Sequence, residues 1–546
     1  MGHRHPREII VKSAAITKEN GVVTPGASAL PVALAIALAA LTFLDGINRN
    51  ATVRTTVLVA ASAIVAWNVW LIARARRHDH ALTFQVVLRK QHYVQACAQG
   101  TVLLYWGWSW RPVYDFAPLI AAQLIFAYAF DTLLAWSRRS TYTLGFGPFP
   151  VILSINLFLW FKPDWFYLQF LMVVVGFAAK ELIRWNREGR MVHIFNPSSF
   201  PLGLFSLVLI LTGTSDVTRG QDIAISQFYP AHMYLLIFLV GLPGQFLFGV
   251  ASMTLSAVLT TYCFGLAYVA VTGTYFFYDS YVPISVFLGM HLLFTDPSTS
   301  PRTELGRVMF GMLYGLSAVA LYHVLGAAGV PTFYDKLLQV PILNLAVKLL
   351  DRASRVRLLE VFDPSRVGRS LTARQRHVGY LSIWAVAFAV MSASQGVGDS
   401  HPGQWLPFWE RACRDQRPRA CTYLAQTESI LCNAGSGWAC NEAVMLQDER
   451  VTAVVPGSSQ GDVPAATESF QRGCRLGFVP ACRNATRLVD GTRPFERALP
   501  TLADYPILLR GSKGPITDRS ASALNARACE QGWPASCGRT ASLVPD

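Results

Sequence analysis

Long apolar segments recur along most of the chain and are separated by short polar stretches. About thirteen of them approach the roughly 20 residues that an α-helix needs to cross a hydrocarbon core. The pattern therefore predicts an all-α fold with a polytopic transmembrane helix bundle of about 13 spans. The segments lie at residues 29–45, 56–73, 93–110, 115–136, 147–161, 165–183, 198–213, 231–247, 250–272, 281–295, 307–328, 335–351 and 379–395.

The composition agrees with a membrane protein, because 52% of the residues are hydrophobic and only 15% are charged. When the N-terminus is placed in the cytoplasm, the cytoplasmic loops hold 25 Lys and Arg and the outer loops of the core hold six. Membrane proteins show this asymmetry as the positive-inside rule. It explains the formal net charge of +14 without a nucleic-acid partner. We expect a multi-pass protein of the bacterial inner (cytoplasmic) membrane, in contact with the lipid bilayer.

This threading divides the chain into five parts. Residues 1–28 form a polar cytoplasmic tail that lacks the apolar core of a cleavable signal peptide. Residues 29–352 form the transmembrane core, residues 353–378 a basic cytoplasmic linker, and residues 379–395 the last transmembrane helix. An odd number of spans then places residues 396–546 on the extracytoplasmic, periplasmic side.

Cysteines give an independent signal in this last part, which holds eight of the ten. They form four pairs with one spacing, C-x7-C: Cys413 with Cys421, Cys432 with Cys440, Cys474 with Cys482, and Cys529 with Cys537. Residues eight apart on a continuous helix are about 12 Å apart, whereas a disulfide requires Cα atoms within about 7 Å. The helix must therefore break inside each pair, and Gly or Pro lies there every time. We predict four disulfides, each joining the two helices of a hairpin in an oxidising compartment.

Zinc binding is the alternative for these cysteines. Structural zinc sites use cysteines two to four residues apart, often with histidine, and the tail has no CxxC and almost no histidine. The C-x7-C cores resemble the cysteine-rich SEL-like repeats, which are TPR-like α-hairpins with one disulfide each. Segments 451–466 and 491–522 are expected to be insertions between the repeats. The resemblance implies a repeat domain that binds a protein outside the membrane. The other two cysteines, Cys97 and Cys263, lie in apolar segments and are predicted to be inert core residues.

Two motifs rich in Pro and polar residues interrupt the apolar pattern on the predicted cytoplasmic side. They are His193-Ile-Phe-Asn-Pro-Ser-Ser-Phe200 and Phe294-Thr-Asp-Pro-Ser-Thr-Ser-Pro301. Asn, Ser and Asp cap helices, and Pro is favoured in the first turn, so both motifs are predicted to be helix N-termini. The sharper hypothesis is an anion or cofactor site at membrane depth, formed by the exposed N–H groups of the two termini.

The same motifs resemble a family of membrane subunits, RnfD and NqrB, of the Rnf complex and the sodium-translocating NADH:quinone oxidoreductase. The matching features are Asn196-Pro197, then Thr295 to Pro301 with Gly306-Arg307, and then Asn344 seven residues before Asp351. The resemblance covers residues 85–352, and the form "HIFNPS" is similar to that of the UnbU-type branch, named for enediyne biosynthesis clusters.

The resemblance implies an electron-transfer subunit, an oxidoreductase or translocase component, that binds FMN or riboflavin, or a quinone. It assigns no catalytic residue and no metal. The cofactor-binding residues it implies are Asn196, Pro197, Ser198, Ser199, Thr295, Asp296, Pro297, Thr299 and Ser300. The family attaches FMN to a threonine in an S-G-A-T motif on the following outer loop. This chain has Thr212, Thr214 and Thr218 there without that motif, so covalent flavin is expected only if one of these replaces it.

Two functions from different classes remain open at this point. In the first, the core moves electrons through flavin or quinone between the cytoplasmic side and extracytoplasmic partners, together with other subunits that supply NADH or iron–sulfur chemistry. In the second, the chain is a non-redox scaffold or transporter that anchors the repeat domain. Asp131 is a candidate for an intramembrane pathway, whereas Lys180 and Glu181 are interpreted as membrane-interface residues.

Overall fold

The computed structural model describes residues 28–79, 81–228, 230–367, 370–454, 463–492, 494–509, 516 and 518–541. The predicted N-terminal tail lies outside these residues except for Ser28. The described chain is predominantly helical up to Ala393. Its helices there are α1 Ala29–Ala40, α2 Asp45–Asn48, α3 Ala51–Arg77, α4 Lys90–Ser109, α5 Pro112–Asp115, α6 Ala117–Arg138, α7 Pro148–Asn156, α8 Tyr167–Leu182, α9 Ser199–Thr212, α10 Gly220–Ser226, α11 Met233–Phe248, α12 Ala251–Thr272, α13 Ile284–Leu292, α14 Glu304–Ala327, α15 Gln339–Ala353, α16 Pro364–Val367 and α17 Ala373–Ala393.

Short elements complete this part. Single turns of 3₁₀-helix lie at Leu41–Phe43, Pro163–Trp165, Ser215–Val217, Thr332–Lys336 and Glu360–Phe362. Four strands form two small sheets: β1 Thr83–Val86 pairs in parallel with β2 Thr141–Leu144, and β3 Arg184–Arg187 pairs antiparallel with β4 Arg190–His193. The apolar periodicity does not predict these strands, because they occupy the polar stretches between helices.

Within the described residues, four helices are long and apolar enough to cross a membrane: α3, α6, α12 and α14. Three shorter apolar helices occur at Ala29–Phe43, Ser199–Thr212 and Met233–Phe248. The long helices are therefore fewer than the thirteen spans that the sequence predicts. Several of the predicted segments form helices that end early and continue as irregular backbone.

Helices α7 and α13 are the clearest cases, with only nine residues each. All of α13 and all of α7 except Phe149 are buried, so both lie inside the bundle. The chain continues from α7 as irregular buried backbone from Leu157 to Phe161. Buried backbone without hydrogen bonds is costly, so its polar groups require partners.

Two buried glutamines supply those partners. Gln227 donates its side-chain amide to the carbonyl of Leu157 at 2.7 Å, and Gln169 donates to the carbonyl of Leu159 at 3.3 Å. The side-chain oxygen of Gln169 also accepts the N–H of Phe161 at 3.1 Å. Gln169 also donates to the side-chain oxygen of Gln123 at 3.2 Å, so buried amides on neighbouring helices hold the irregular segment in place.

The tail after Ala393 is also helical. Its α-helices are α18 Leu406–Arg414, α19 Ala420–Asn433, α20 Gly437–Val454, α21 Val463–Arg475, α22 Val479–Val489, α23 Tyr505–Leu508, α24 Ala521–Glu530 and α25 Pro534–Ala541, and a 3₁₀ turn lies at Pro402–Gln404.

All four predicted disulfides are present in the tail, with Cα–Cα separations of 4.5 to 4.7 Å. Each disulfide joins two consecutive helices. Helix α19 contains two of the cysteines, one bonded to α18 and the other to α20. The predicted disulfide-linked hairpins are therefore confirmed. Because all eight cysteines are bonded to each other, the alternative of zinc ligation does not apply to them. The bonded pairs are Cys413 with Cys421, Cys432 with Cys440, Cys474 with Cys482, and Cys529 with Cys537.

The described part of the predicted insertion at 491–522 packs against the neighbouring helices of the tail. Asp504 accepts hydrogen bonds from Ser436 Oγ at 2.8 Å and from the N–H of Trp438 at 3.1 Å. The N–H of Glu496 donates to the side-chain oxygen of Asn484 at 2.6 Å. The segment therefore covers the hairpins of α20 and α22. Part of the other predicted insertion, residues 455–462, lies outside the described residues.

The two cysteines outside the tail are not core residues. Cys97 on α4 and Cys263 on α12 are both exposed on the outer surface of their helices. The prediction of buried cysteines is wrong because apolar residues at these positions face the surroundings of the bundle rather than its interior.

Candidate functional site

The first motif forms a turn that caps helix α9. The side-chain oxygen of Asn196 accepts the N–H groups of Ser198 at 3.0 Å and Ser199 at 3.1 Å, and the hydroxyl of Ser198 at 2.7 Å. An Asn side chain that satisfies N–H groups at a helix start is the expected capping chemistry. The prediction of a helix N-terminus is confirmed here.

The second motif is a loop and does not itself begin a helix. Helix α14 starts at Glu304, with Thr303 as its N-cap, so the predicted helix start within residues 294–301 is wrong. Instead, the carboxylate of Asp296 turns the chain: Oδ1 accepts the N–H of Ser298 at 2.9 Å. Its other oxygen, Oδ2, lies 3.2 Å from Nε2 of His193 in the first motif. The two motifs, about a hundred residues apart in sequence, are therefore in direct contact.

Helix α15 holds both motifs in place. Asn344 accepts the N–H of Asn196 on its side-chain oxygen at 3.1 Å and donates its side-chain amide to the carbonyl of Thr299 at 3.0 Å. Asp351, seven residues later and two turns along the same helix face, accepts the N–H of Arg302 at 2.8 Å. Asn344 and Asp351 thus hold the two motif loops in place through hydrogen bonds to their backbone.

A cavity of about 590 Å³ opens beside the two motifs and is called the motif cavity below. Asn196, Pro197 and Ser198 line it from the first motif, and Asp296, Pro297 and Ser298 line it from the second. Small-molecule sites in proteins usually occupy about 300–1,000 Å³, so a cofactor-sized ligand fits. Its other walls come from the start of α4, from the loop before α7, from β2 and β3, and from α6, α8 and α11 near their C-terminal ends.

Most of the charged side chains in the wall are basic. Arg89, Arg139, Lys180 and Arg184 line the cavity with Asp131, Glu181 and Asp296, and His92 and His193 also contribute to it. Glu181 pairs with both Arg139 at 3.2 Å and Arg184 at 2.9 Å, and Lys180 lies 4.0 Å from Asp131. Arg89 forms no ion pair with any residue in the described ranges. Four arginine and lysine side chains against three carboxylates favour a ligand that carries negative charge.

Asp296 is ionised in this setting. Burial acts to raise the pKa of this carboxyl, but the hydrogen bond and charge of His193 and the bonds from Ser298 lower it, and the net effect is a pKa below its ordinary value. In the part of the chain that the structure describes, no group of three or more His, Cys, Asp or Glu could hold a metal ion.

The remaining predicted cofactor residues do not line the cavity. Ser199, Thr295, Thr299 and Ser300 are buried. The hydroxyl of Thr295 donates to the carbonyl of His291 at the end of α13, and that of Thr299 donates to the carbonyl of Asp296 in its own loop. These residues support the walls of the motif cavity from behind.

The three threonines proposed for covalent flavin lie at the other end of α9. Thr212 is the last residue of this 14-residue helix, about 20 Å from its start. Thr212 and Thr214 are exposed and share a hydrogen bond at 2.7 Å, whereas Thr218 is buried and donates to the carbonyl of Ser215. A ligand in the motif cavity is therefore out of reach of all three.

Sequence reasoning missed the basic wall of the cavity. The sequence accounts for Arg89, Arg139 and Arg184 by membrane topology and for Lys180 and Glu181 by the membrane interface, because each lies at the end of an apolar segment. The signal that points to them is that all these segment ends share one predicted side of the membrane with the two motifs. Asp131, the predicted pathway candidate, does line the cavity.

No family model, no curated protein and no solved structure matches this chain. The likeness to RnfD and NqrB and to SEL-like repeats therefore stays a prediction that rests on the motif residues.

Proposed function

We propose that this chain is a membrane subunit of an electron-transfer system that holds a flavin or a quinone in the motif cavity. The observation that carries the proposal is the meeting of two distant Pro-Ser motifs, tied by Asn344, in the wall of one cofactor-sized cavity with a basic lining. Because these hydrogen bonds fix the position of the cavity wall, a ring system bound there would keep one orientation for electron transfer to a partner.

The residues of the wall fit such a group. Arg89, Lys180 and the other basic side chains would hold the phosphate of FMN or offset negative charge on a reduced ring, and Gln91 and Gln95 offer side-chain amides to ring carbonyls and nitrogens. When bound, the flavin or quinone supplies the redox chemistry. The protein supplies orientation, charge and shelter from water.

We also propose the finer topology. The four long helices, together with shorter and broken ones such as α7 and α13, would make up about thirteen crossings of a bacterial inner membrane. The contents of the two ends of the helix bundle support this topology. Every loop that lines the motif cavity belongs to the predicted cytoplasmic side, whereas the tail contacts the far ends of α12 and α14, about 33–36 Å away along the helices.

The test is to purify the full-length protein from its membranes and to identify what leaves it on denaturation. We expect a flavin spectrum, or a quinone in the organic extract, at close to one per chain. Asp296→Asn and Arg89→Gln should lower this occupancy at least several-fold. Asp216→Asn and Arg190→Gln, which change exposed residues outside the cavity, should leave it intact. A colourless protein without quinone contradicts the proposal.

The tail supports a second candidate, a scaffold that binds a protein outside the membrane. Its helices pack against their neighbours from α18 to α22, and stacked hairpins of this kind present extended surfaces to partners. Cross-linking in intact cells, followed by mass spectrometry, would identify a stoichiometric partner of the tail. The two candidates are compatible, because the tail and the motif cavity lie at opposite ends of α14.

A further inference from the structure

A second cavity lies where the tail meets the helical core, and we call it the interface cavity. Its volume is about 60 Å³, room for a few water molecules. The loop before α13 contributes Asp279 to its wall, the 3₁₀ turn before α15 contributes Asp335 and Lys336, and α19 of the tail contributes Gln426. The tail therefore contributes one wall of this cavity.

The charges around this cavity do not balance. Lys336 is buried, and its ammonium group donates to Ser285 Oγ at 2.8 Å and pairs with Asp335 at 3.1 Å. Asp279 is only 5% exposed, and its Oδ1 accepts no hydrogen bond from any described residue, so its carboxylate depends on the hydroxyl of Tyr278 and on its own backbone N–H. With both carboxylates ionised, the cluster would carry two negative charges against one positive charge.

A buried carboxylate without a compensating charge is so costly that such a group takes up a proton or a cation. The other groups that face Asp279 do not offer a second positive charge. They are Tyr278 on its own loop, Tyr234 on α11, Tyr322 on α14, and Asp335 and Lys336 on the 3₁₀ turn. From the tail, Gln404 donates only to the backbone carbonyl of Asp279, at 3.1 Å.

We propose that Asp279 is a proton-binding site, which takes up and releases one proton through the water-sized interface cavity beneath the tail. Burial raises the pKa of the Asp279 carboxyl to about 7, which agrees with exchange under physiological conditions. The site lies at the opposite end of α14 from the motif cavity, so it does not depend on any cofactor there.

The experiment is a pH titration of the full-length protein in lipid nanodiscs, followed by infrared difference spectroscopy of the carboxylic-acid C=O stretch. We expect one band that disappears with a midpoint at about pH 7. The band should be absent in Asp279→Asn and should remain in Asp216→Asn, which changes an exposed aspartate elsewhere in the core. A titration in which no band depends on Asp279 overturns the proposal.

Two further arms keep the test decisive. Replacement of choline by sodium at constant ionic strength should leave the midpoint unchanged. A midpoint that falls as sodium rises would mean that an alkali ion occupies Asp279, and would overturn the proton assignment. If Asp279→Asn does not fold, Lys336→Gln replaces it: loss of the nearby positive charge should raise the midpoint above that of the wild type, and an unchanged midpoint counts against the proposal.

Discussion

Arg187 and Asp351 are 164 positions apart in sequence and form a buried ion pair, with 2.7 Å between Nη2 and Oδ2. The same guanidinium group donates to the carbonyl of Ser300 at 2.9 Å, and the same carboxylate accepts the N–H of Arg302. The pair thus connects β3 and α15 with the second motif, which lines the motif cavity.

Loss of this pair should destabilise the protein strongly. Asp351→Ala leaves the buried Arg187 without its counter-charge, and removal of one partner of a buried pair typically costs about 3–5 kcal/mol. Glu188→Ala is the matched control, since Glu188 is half-exposed and pairs with Arg302 and Arg355 at the surface, where such pairs contribute up to about 1 kcal/mol. Thermal unfolding monitored by size exclusion should show a much larger loss for Asp351→Ala. Equal losses would contradict the role given to the pair.

Asn344→Ala should loosen both motifs at once. It leaves the N–H of Asn196 and the carbonyl of Thr299 without their partners, at a cost of about 1–3 kcal/mol for each buried group. Hydrogen exchange measured by mass spectrometry should accelerate in residues 195–199 and 296–301. Lys348→Ala, on the exposed face of the same helix, should leave both segments protected. Acceleration in only one segment would mean that Asn344 does not connect them.

The thiol count distinguishes disulfides from zinc ligands in the tail. Denatured, unreduced and chelated protein should react with maleimide at two cysteines, Cys97 and Cys263, and reduced protein at all ten. Ten reactive thiols before reduction in protein isolated under thiol-blocking conditions would rule out the disulfides.

Tyr423 should govern how firmly the tail is docked. Its hydroxyl donates to the carbonyl of Phe276 at 2.6 Å, and its ring is buried with Phe276 and Trp409 in one apolar cluster between tail and core. Tyr423→Ala should therefore raise hydrogen exchange in residues 273–283, across the interface. Thr427→Ala, one turn further along α19, removes only a bond within that helix and should leave this segment unchanged. Unchanged exchange in both variants would show that other contacts hold the tail.

The pH dependence of stability has a defined sign at Asp279. Because burial raises its pKa to about 7, the folded protein keeps a proton there that the unfolded chain releases above about pH 4. The contribution of this group to stability is therefore greatest at low pH and falls as pH rises through about 7. Between about pH 5 and 8, the Tm of the wild type should fall relative to that of Asp279→Asn. Parallel curves would exclude the raised pKa.

The disulfides and the helical hairpins of the tail were predicted from its cysteines. A spacing of eight residues cannot be bridged along a continuous helix, so the hairpins follow from covalent geometry and from the Gly or Pro in each pair. The core was predicted less well. Its apolar segments identify where helices occur, but α7 stops after nine residues, and the distant side chains of Gln169 and Gln227 satisfy the irregular backbone that follows. Apolar periodicity along the chain carries no information about such partners.

The sequence by itself determined the membrane-like composition, the alternation of charged loops, the four disulfides and the two motifs. Each of these depends on neighbouring residues or on a fixed spacing. Only the tertiary structure decided that the motifs meet, that Asn344 and Asp351 tie them, and that Arg89 and Lys180 face the same cavity. It also decided that Asp279 is buried where the tail meets the core, in a cluster of two carboxylates and one ammonium group in all. These relationships join residues that are far apart in the chain, and their energies arise from burial and packing, which exist only once the chain has folded.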